Sequence, residues 1–387
     1  MNNLVLHLVR KNTQLKASFI QNQVLNHIEF EPKVIFYENR NSNLDGGFAS
    51  ALPSNVVVHE LEKKYTFLEK VLYKTLKQIS YISKADLLNQ VKQINPKVIH
   101  LHYGTDAGLY LKTLRNTNIS KVVSFYGYEC SGFPKRFFGL GKYYLKYRTF
   151  KYADKILAMS EDMKNDLIEI GCPEEKIIVH YHGAKVKRFE ARHNYKEMSI
   201  VKFLIISGFA AQKGHIFLLK SFKKSLKFNK NIRLTIVGEG SEKEKIDKTI
   251  KDLNLQNYVD IKPFVVYGSK EHIKYFADYD VFIHPSLTDV NGDKEGIPGA
   301  IVEAMAAGLP IVSTFHAGIP YIIENYVSGL LVKELDIDDL SKKIIEISNS
   351  KSLREELGLK GQKFALSNLD LFNKERDLEK IYNDIVK

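Results

Sequence analysis

The chain has 387 residues, 44% of them hydrophobic, and only two cysteines, Cys130 and Cys172. That length and apolar content suit two globular domains and exclude a disordered chain, the cysteine count excludes a disulfide framework, and no run of eighteen apolar residues offers a membrane span. The net charge of +12 is uneven, since residues 1–200 carry 30 Lys and Arg against 19 Asp and Glu while the remainder carries 27 against 26; the excess therefore speaks of a partner of the first half.

The opening ten residues are too short and polar for a signal peptide and read as a first strand, 4–9. Strands follow at 33–37, 56–59, 98–102, 121–125, 155–159 and 177–180, and helical periodicity appears in 18–27, 61–79, 106–115 and 161–170. Such alternation specifies a parallel sheet covered by helices on both faces. No acid lies between Cys130 and Ala153, where Lys135, Arg136, Lys142, Lys146, Arg148 and Lys151 interleave with Phe137, Phe138, Tyr143, Tyr144, Tyr147 and Phe150. Three readings fit that segment: a solvated helix with its aromatics inward, a surface for anionic lipid headgroups, or a nucleic-acid surface. The last ranks lowest because no recognition motif accompanies the charge, and no nucleic-acid partner is expected. Residues 184–199 are charged and non-periodic, as in a linker.

A second alternation starts at Val201: strand 203–207, loop 208–214, helix 215–228, strand 232–237, helix 243–253, segment 258–263 and helix 268–276. The stretch 280–314 then reads as strand, Gly/Pro-rich loop, Ala-rich helix and strand, a βαβ unit. Pro298 suits the first helical turn and Gly308 the C-terminal cap. A glycine loop at 317–320, a strand at 329–332 and helical regions at 337–366 and 373–385 finish the chain. The expected fold is α/β, with two doubly wound domains, 1–195 and 196–370, facing each other across a cleft and a helix in 371–387 packing back on the first. Ligands of such sheets sit outside the carboxyl ends of the strands.

Three glycine loops, 208–214, 292–298 and 317–320, share that edge in the second domain. Helices starting after them present N–H groups and partial positive charge to an anion, and Lys213 adds a full charge, which makes a diphosphate cradle. Glu295 stands in the second loop. Glu303, among Ala300, Ile301, Val302, Ala304, Ala306 and Ala307, needs a hydrogen-bond donor, and a ligand hydroxyl would serve. Singly, Glu295 and Glu303 read more readily as ordinary loop and surface residues, and Lys213 equally well as a surface lysine; the complete pattern decides. No Cys, His or carboxylate cluster has the spacing of a structural metal site, so no metal is expected.

Written out, Glu295-Gly-Ile-Pro298-Gly-Ala-Ile-Val-Glu303-Ala-Met-Ala-Ala-Gly308-Leu-Pro310-Ile-Val resembles the donor-site signature of the retaining glycosyltransferases of family 4, which have the GT-B fold. The first half, with Leu15-Lys-Ala-Ser-Phe-Ile20, His102-Tyr-Gly-Thr105 and Ser124-Phe-Tyr126-Gly127-Tyr-Glu129, is similar to enzymes of exopolysaccharide, capsule and lipopolysaccharide assembly of the colanic-acid type. The resemblance implies that Gly208, Lys213 and Gly214 line the donor phosphates and that Glu303 binds the nucleotide ribose. It places Glu295 near the donor sugar, beside the backbone of Gly296, Ile297, Pro298 and Gly299. Two motifs depart from the family. Phe209 stands where an arginine usually meets the diphosphate, which leaves that task to Lys213, with His215 as a second candidate. Tyr126 and Glu129 replace the histidine and aspartate near the reacting sugar; a tyrosine can donate a hydrogen bond but is a poor base at neutral pH.

What the resemblance implies for function is hexosyl transfer from a UDP- or GDP-sugar to a glycan acceptor linked to polyprenyl diphosphate, in surface-polysaccharide synthesis. Tyr126, Lys213 and Glu295 would act at the reacting centre without metal or other cofactor, the departing diphosphate oxygen taking the acceptor's proton on the same face. The implied setting is cytoplasmic, peripheral on the inner membrane face. The alternatives are a non-catalytic GT-B nucleotide-sugar-binding or scaffold protein, suggested by Phe209 and Tyr126, and a nucleotide-sugar 2-epimerase or a phosphorylase.

Overall fold

The computed structural model describes residues 3–39, 52, 56–189, 195, 199–266 and 268–386. The chain forms two compact units, Met1–Gly183 with Leu371–Lys387, and Ala184–Asp370. The division falls after Gly183 rather than at 195 because Ala184 already belongs to the second unit: its N–H bonds Leu369 O at 2.9 Å and it bridges Asp370. Of the expected linker, residues 190–194 and 196–198 lie outside the described residues.

The first unit runs β1 (Leu4–Lys11), α1 (Ser18–Leu25), β2 (Glu31–Glu38), β3 (Val57–Glu60), α2 (Phe67–Leu76), α3 (Tyr81–Ile94), β4 (Val98–His102), α4 (Gly104–Leu114) and β5 (Ser120–Ser124). It continues with α5 (Arg136–Gly139), α6 (Gly141–Tyr144), β6 (Lys155–Ala158), α7 (Glu161–Glu169) and β7 (Ile177–Val179). All seven strands are parallel, in the order β3-β2-β1-β4-β5-β6-β7. The helix expected over 61–79 is two helices. Lys77 turns left-handed at φ 50°, and Ser80 caps α3 by accepting the Ser83 N–H. Nor is the basic-aromatic segment one helix. Left-handed Phe138 (φ 56°) and Gly139 (φ 84°) break it into short turns before a π-helix at Leu145–Phe150.

The second unit runs β8 (Val201–Ile206), α8 (His215–Ser225), β9 (Ile232–Val237), α9 (Lys243–Asp252), β10 (Val259–Lys262), α10 (Lys270–Asp278) and β11 (Val281–His284). There follow α11 (Gly299–Ala306), β12 (Ile311–Thr314), β13 (Leu330–Val332), α12 (Ile337–Asn349) and α13 (Lys351–Asn368), and α14 (Leu371–Ile385) returns to the first unit. The expected helix over 337–366 is interrupted at Ser350, whose hydroxyl caps α13 by accepting the Leu353 N–H. The sheet is again all parallel, β10-β9-β8-β11-β12-β13. In each sheet the winding reverses between two central strands, β1 and β4 or β8 and β11. The loops leaving their carboxyl ends diverge there and leave a crevice where ligands bind.

Both sheets are covered on two faces, so central strands are apolar on both sides. In the second unit Phe203, Phe222, Ile236, Ile283 and Ile344 belong to one buried cluster. In the first, Val5, Val98, Val122 and Leu157 pack with Leu378 and Tyr382 of α14. The Glu379 carboxylate accepts the backbone N–H groups of Ile28, Glu29 and Phe30 at 2.8, 3.0 and 3.1 Å, and the Tyr382 hydroxyl meets His100 Nδ1 at 2.5 Å. The last helix is thus part of the first unit's core. Truncation of the fully buried Leu378 to alanine is expected to destabilise that unit by about 2–5 kcal/mol in chemical denaturation. An unmoved midpoint would show that α14 contributes nothing to its stability.

Candidate functional site

The second unit's crevice is built on a close approach. After β8 the chain turns through Ser207 and Gly208 into a 3-10 turn at Ala211–Lys213, and Gly214 begins α8 with φ +71°. A Cβ at Gly214 would lie 2.0 Å from Pro285 O, so only glycine fits both the left-handed backbone and the contact. Leu287 N–H bonds Gln212 O at 2.9 Å, which holds the loop against the end of β11. The consequence is an ion pair between Lys213 Nζ and Glu295 Oε2, one residue from each side of the switch point.

Glu295 is gripped from several sides. Ser286 Oγ donates to Oε1 at 2.9 Å, and His284 Nε2 lies 3.6 Å from the same oxygen. Its backbone N–H donates to His316 Nε2 at 3.2 Å, so His316 carries its proton on Nδ1 and donates to Glu334 Oε1 at 2.7 Å. The carboxylate is 8% exposed. Burial pushes its pKa up, but the Lys213 ammonium and then the His284 contacts override this and hold it well below the usual carboxylate range. The pair is ionised, with Lys213 the more exposed partner.

The other candidates distribute as follows. A Cβ at Gly208 would come no closer than 3.8 Å to Glu239 O. Phe209 is turned into the core, its ring 5.1 Å from that of His215. His215 is itself buried and bonded through Nε2 to Ser207 Oγ at 3.0 Å; burial, with help from His284 and Lys213, pushes it down to about 3. A neutral His215 brings no charge to the crevice, whereas Lys213 does. Pro298 is the N-cap of α11, one position ahead of the expected first turn. Gly296 O accepts the Gly318 N–H at 3.2 Å, tying the second glycine loop to the third, and Ile297 is buried. A Cβ at Gly299 meets nothing within 4 Å, so the first turn of α11 borders open space. Glu303 is buried in α11 with His272 Nε2 at 3.5 Å; burial pushes His272 down.

Reading the sequence passed over His272, His284, Ser286, His316 and Glu334. Four of these sit at or just beyond the carboxyl ends of β11, β12 and β13, where site residues of parallel sheets collect. His272 on α10 carried no such signal.

Tyr126 belongs to the first unit, just after β5, with its ring packed on Phe19 (4.5 Å) and Tyr103 (4.9 Å) and its hydroxyl 2.6 Å from His102 Nδ1. Burial pushes its phenol well above the ordinary range, which removes it further from a base's role. Nearby, the buried Glu129 carboxyl accepts the N–H groups of Tyr126 (3.2 Å) and Gly104 (3.3 Å) at the start of α4. Burial raises Glu129 to about 7 despite these bonds.

Two outcomes are expected. Gly214→Ala should lose about 2 kcal/mol or more of stability, from a left-handed alanine and the carbonyl contact together; an unchanged melting temperature would mean the loop relaxes freely. For Glu129, the folded chain keeps a proton between pH 4.5 and about 7 that the unfolded chain has released, so its contribution to stability falls as pH rises through that window. Relative to wild type, Glu129→Gln should therefore gain stability between pH 4.5 and 7, by up to about 3 kcal/mol above pH 8; a parallel pair of pH profiles would contradict this.

The family model for Glycosyltransferase Family 4 matches residues 33–188, and that for Glycosyl transferases group 1 matches residues 187–364. The chain is 30% identical over 257 residues, 66% of its length, to the amylovoran biosynthesis glycosyltransferase AmsK of Erwinia amylovora. It is 32% identical over 201 residues, 52% of its length, to the putative colanic acid biosynthesis glycosyltransferase WcaL of Escherichia coli. The chain spans 61% and 49% of those two proteins' own lengths. In structure it is similar to Anabaena HepE in complex with UDP, with a TM-score of 0.77 at 16% identity and full coverage of both chains. It also matches the sucrose-phosphate synthase of Thermosynechococcus elongatus, with a TM-score of 0.76 at 14% identity over 99% of each chain. With two consecutive family models covering both units and this likeness in fold, the chain belongs to the family 4 glycosyltransferases, of the GT-B fold.

Proposed function

We propose that this chain is a retaining glycosyltransferase that moves a hexose from a UDP- or GDP-sugar to a hydroxyl of a lipid-linked glycan in capsule or exopolysaccharide synthesis. The observation that carries the proposal is the Lys213–Glu295 pair at the switch point of the second unit. Lys213 is a cation held by the carboxylate of Glu295, and the helix that follows the Glu295 loop begins at Gly299, which borders open space. A nucleoside diphosphate brings two phosphates to such a place, where the ammonium and helix amides meet them. Transfer breaks the bond between the sugar's C1 and the diphosphate oxygen and forms one between C1 and the acceptor oxygen; the acceptor's proton leaves on the diphosphate. Lys213 stabilises the charge growing on the leaving group, Glu295 and Glu303 bind donor hydroxyls, and no protein base is needed. HepE, bound to UDP, and AmsK and WcaL, named for exopolysaccharides, support the donor and the pathway class.

A lipid-linked acceptor fits the basic segment of the first unit. There Phe138, Leu140, Tyr143 and Tyr147 are exposed beside the exposed Lys135, Arg136, Lys142 and Lys146, while the side chain of Phe137 lies outside the described residues. Apolar tips among cations suit a headgroup layer. Among the described residues no helix is long and apolar enough to cross a membrane.

Melting of the protein with UDP, GDP and ADP in parallel tests the donor class. One of them should raise the melting temperature, by an amount equal to about 2.7 kcal/mol at a hundredfold excess over its Kd, and Lys213→Ala should weaken that ligand at least tenfold. No shift with any of the three at millimolar concentration would favour the non-catalytic alternative, with the inward Phe209 and neutral His215 as its cause. For the surface, exchanging Phe138 and Leu140 for serine should reduce co-sedimentation with phosphatidylglycerol vesicles; unaltered sedimentation would remove the segment from membrane contact.

A further inference from the structure

Tyr126 is the outer end of a chain of polar side chains that runs inward through the first unit. Its hydroxyl lies 2.6 Å from His102 Nδ1, His102 Nε2 lies 3.0 Å from His7 Nδ1, and His7 Nε2 lies 2.9 Å from His27 Nε2. His27 Nδ1 faces Glu379 Oε1 at 3.4 Å and Glu375 Oε2 at 3.8 Å, both on α14. His7, His100 and His102 also offer donor atoms within 4.8 Å of one another, a spacing open to a metal ion. Yet every ring nitrogen of the three already has a hydrogen-bond partner, His100 through the Tyr382 hydroxyl at 2.5 Å and Ser124 Oγ at 2.7 Å. Connection, not coordination, organises the cluster.

The direction of this chain follows from counting protons. Burial, reinforced by neighbouring histidines, pushes His7 and His102 well below the ordinary histidine range, so each is neutral with one N–H. A neutral imidazole that donates on one side accepts on the other, so the direction of any one bond fixes the rest. The inner end settles it. Burial pushes Glu379 up, but the facing His27 and the amides of residues 28–30, whose N–H groups its carboxylate accepts, hold it below its usual range; His27 Nδ1 approaches to 3.4 Å without a formed hydrogen bond. An ionised carboxylate only accepts. A His27 that carries one proton holds it on Nδ1, toward Glu379; His7 Nε2–H then donates to His27 Nε2, His102 Nε2–H donates to His7 Nδ1, and the Tyr126 O–H donates to His102 Nδ1. Gln23 Oε1, at 3.5 Å, is a distant rival for that last proton. Glu375, buried and without a hydrogen-bond partner for either oxygen among the described residues, is pushed well above its usual range by burial and by the charge of Glu379. That leaves Glu379 as the charge at the inner end.

We propose that Glu379, acting through His27, His7 and His102, fixes the Tyr126 proton inward, so that Tyr126 offers the substrate a hydrogen-bond-accepting oxygen and selects a hydroxyl there. The proposal rests on the transferase reading for which substrate that is, a hydroxyl of the acceptor or of the transferred sugar; the direction of the chain does not. It reverses the donor role that the sequence suggests for a tyrosine at this place. Glu379, His27, His7 and His102 are positioning residues.

Nitrogen-15 NMR of the histidine-labelled full chain tests the direction without substrate. We expect His102 and His7 protonated on Nε2 and His27 on Nδ1. A doubly protonated His27, a His102 protonated on Nδ1, or zinc bound at one equivalent per chain would each overturn the proposal. Kinetics then test its use, with the nucleotide-sugar whose nucleotide stabilises the protein. Tyr126→Phe should lower kcat at least tenfold, with the nucleotide's melting shift intact. Glu379→Gln, which keeps an acceptor oxygen for the amides of residues 28–30 but removes the charge that holds the chain in one direction, should lower kcat at least threefold in the wild type and by less than twofold in the Tyr126→Phe background. Equal losses in both backgrounds would mean that Glu379 merely supports the fold and would overturn the proposal. Should Glu379→Gln fail to fold, the ring states of the wild type decide. Should the wild type turn over no nucleotide-sugar, the transferase reading falls, while the ring states still decide the chain's direction.

Discussion

The contact of Gly214 with Pro285 is the constraint on which the second unit's chemistry depends. Two loops leave neighbouring strands at a switch point and would ordinarily diverge. A residue without a side chain lets one backbone lie on the other, and Lys213 and Glu295 then fall within an ion pair. A pair this buried is weak evidence for stability, because removing two charges from water costs about as much as their attraction returns. It is better understood as storage. On the proposed function, the carboxylate keeps a flexible ammonium aimed for a donor anion, and Ser286, His284 and His316 hold the carboxylate itself.

The first unit works by a different principle. Its polar interior links histidine rings one to the next, and α14, the last helix of the chain, sets at their inner end the carboxylate that, on our proposal, fixes the direction. A helix that crosses back to complete another unit's core thereby also reaches that unit's sheet edge, from Glu379 to Tyr126. Packing and chemistry share the same turns of helix: Leu378 and Tyr382 fill the core, while Glu375 and Glu379 face His27.

Much of this was legible in the sequence. Strand 98–102 was read to the residue because its burial on both faces leaves no alternative period, and the β11–α11–β12 unit was plain from its glycines, prolines and alanines. The break between α2 and α3 was not, because it depends on a left-handed Lys77 and a serine cap rather than on periodicity. Lys213 and Glu295 were found as members of a motif, but their pairing across 82 positions was not. Proximity of that kind is set by a backbone contact that no local pattern records. The inward turn of Phe209 and the neutrality of His215 were equally hidden, since burial decides both. His7, His27, His100 and His102 carried no sequence signal as a group: they lie on two strands and beyond a helix, and only the sheet register brings them together.

A crystal structure of the chain with the nucleoside diphosphate that stabilises it is the most direct measurement. A diphosphate oxygen should stand within hydrogen-bond reach of Lys213 Nζ at the first turn of α11, with Glu295 still held by Ser286. A nucleotide bound elsewhere, with the Lys213–Glu295 pair closed and the turn at Gly299 empty, would contradict the account.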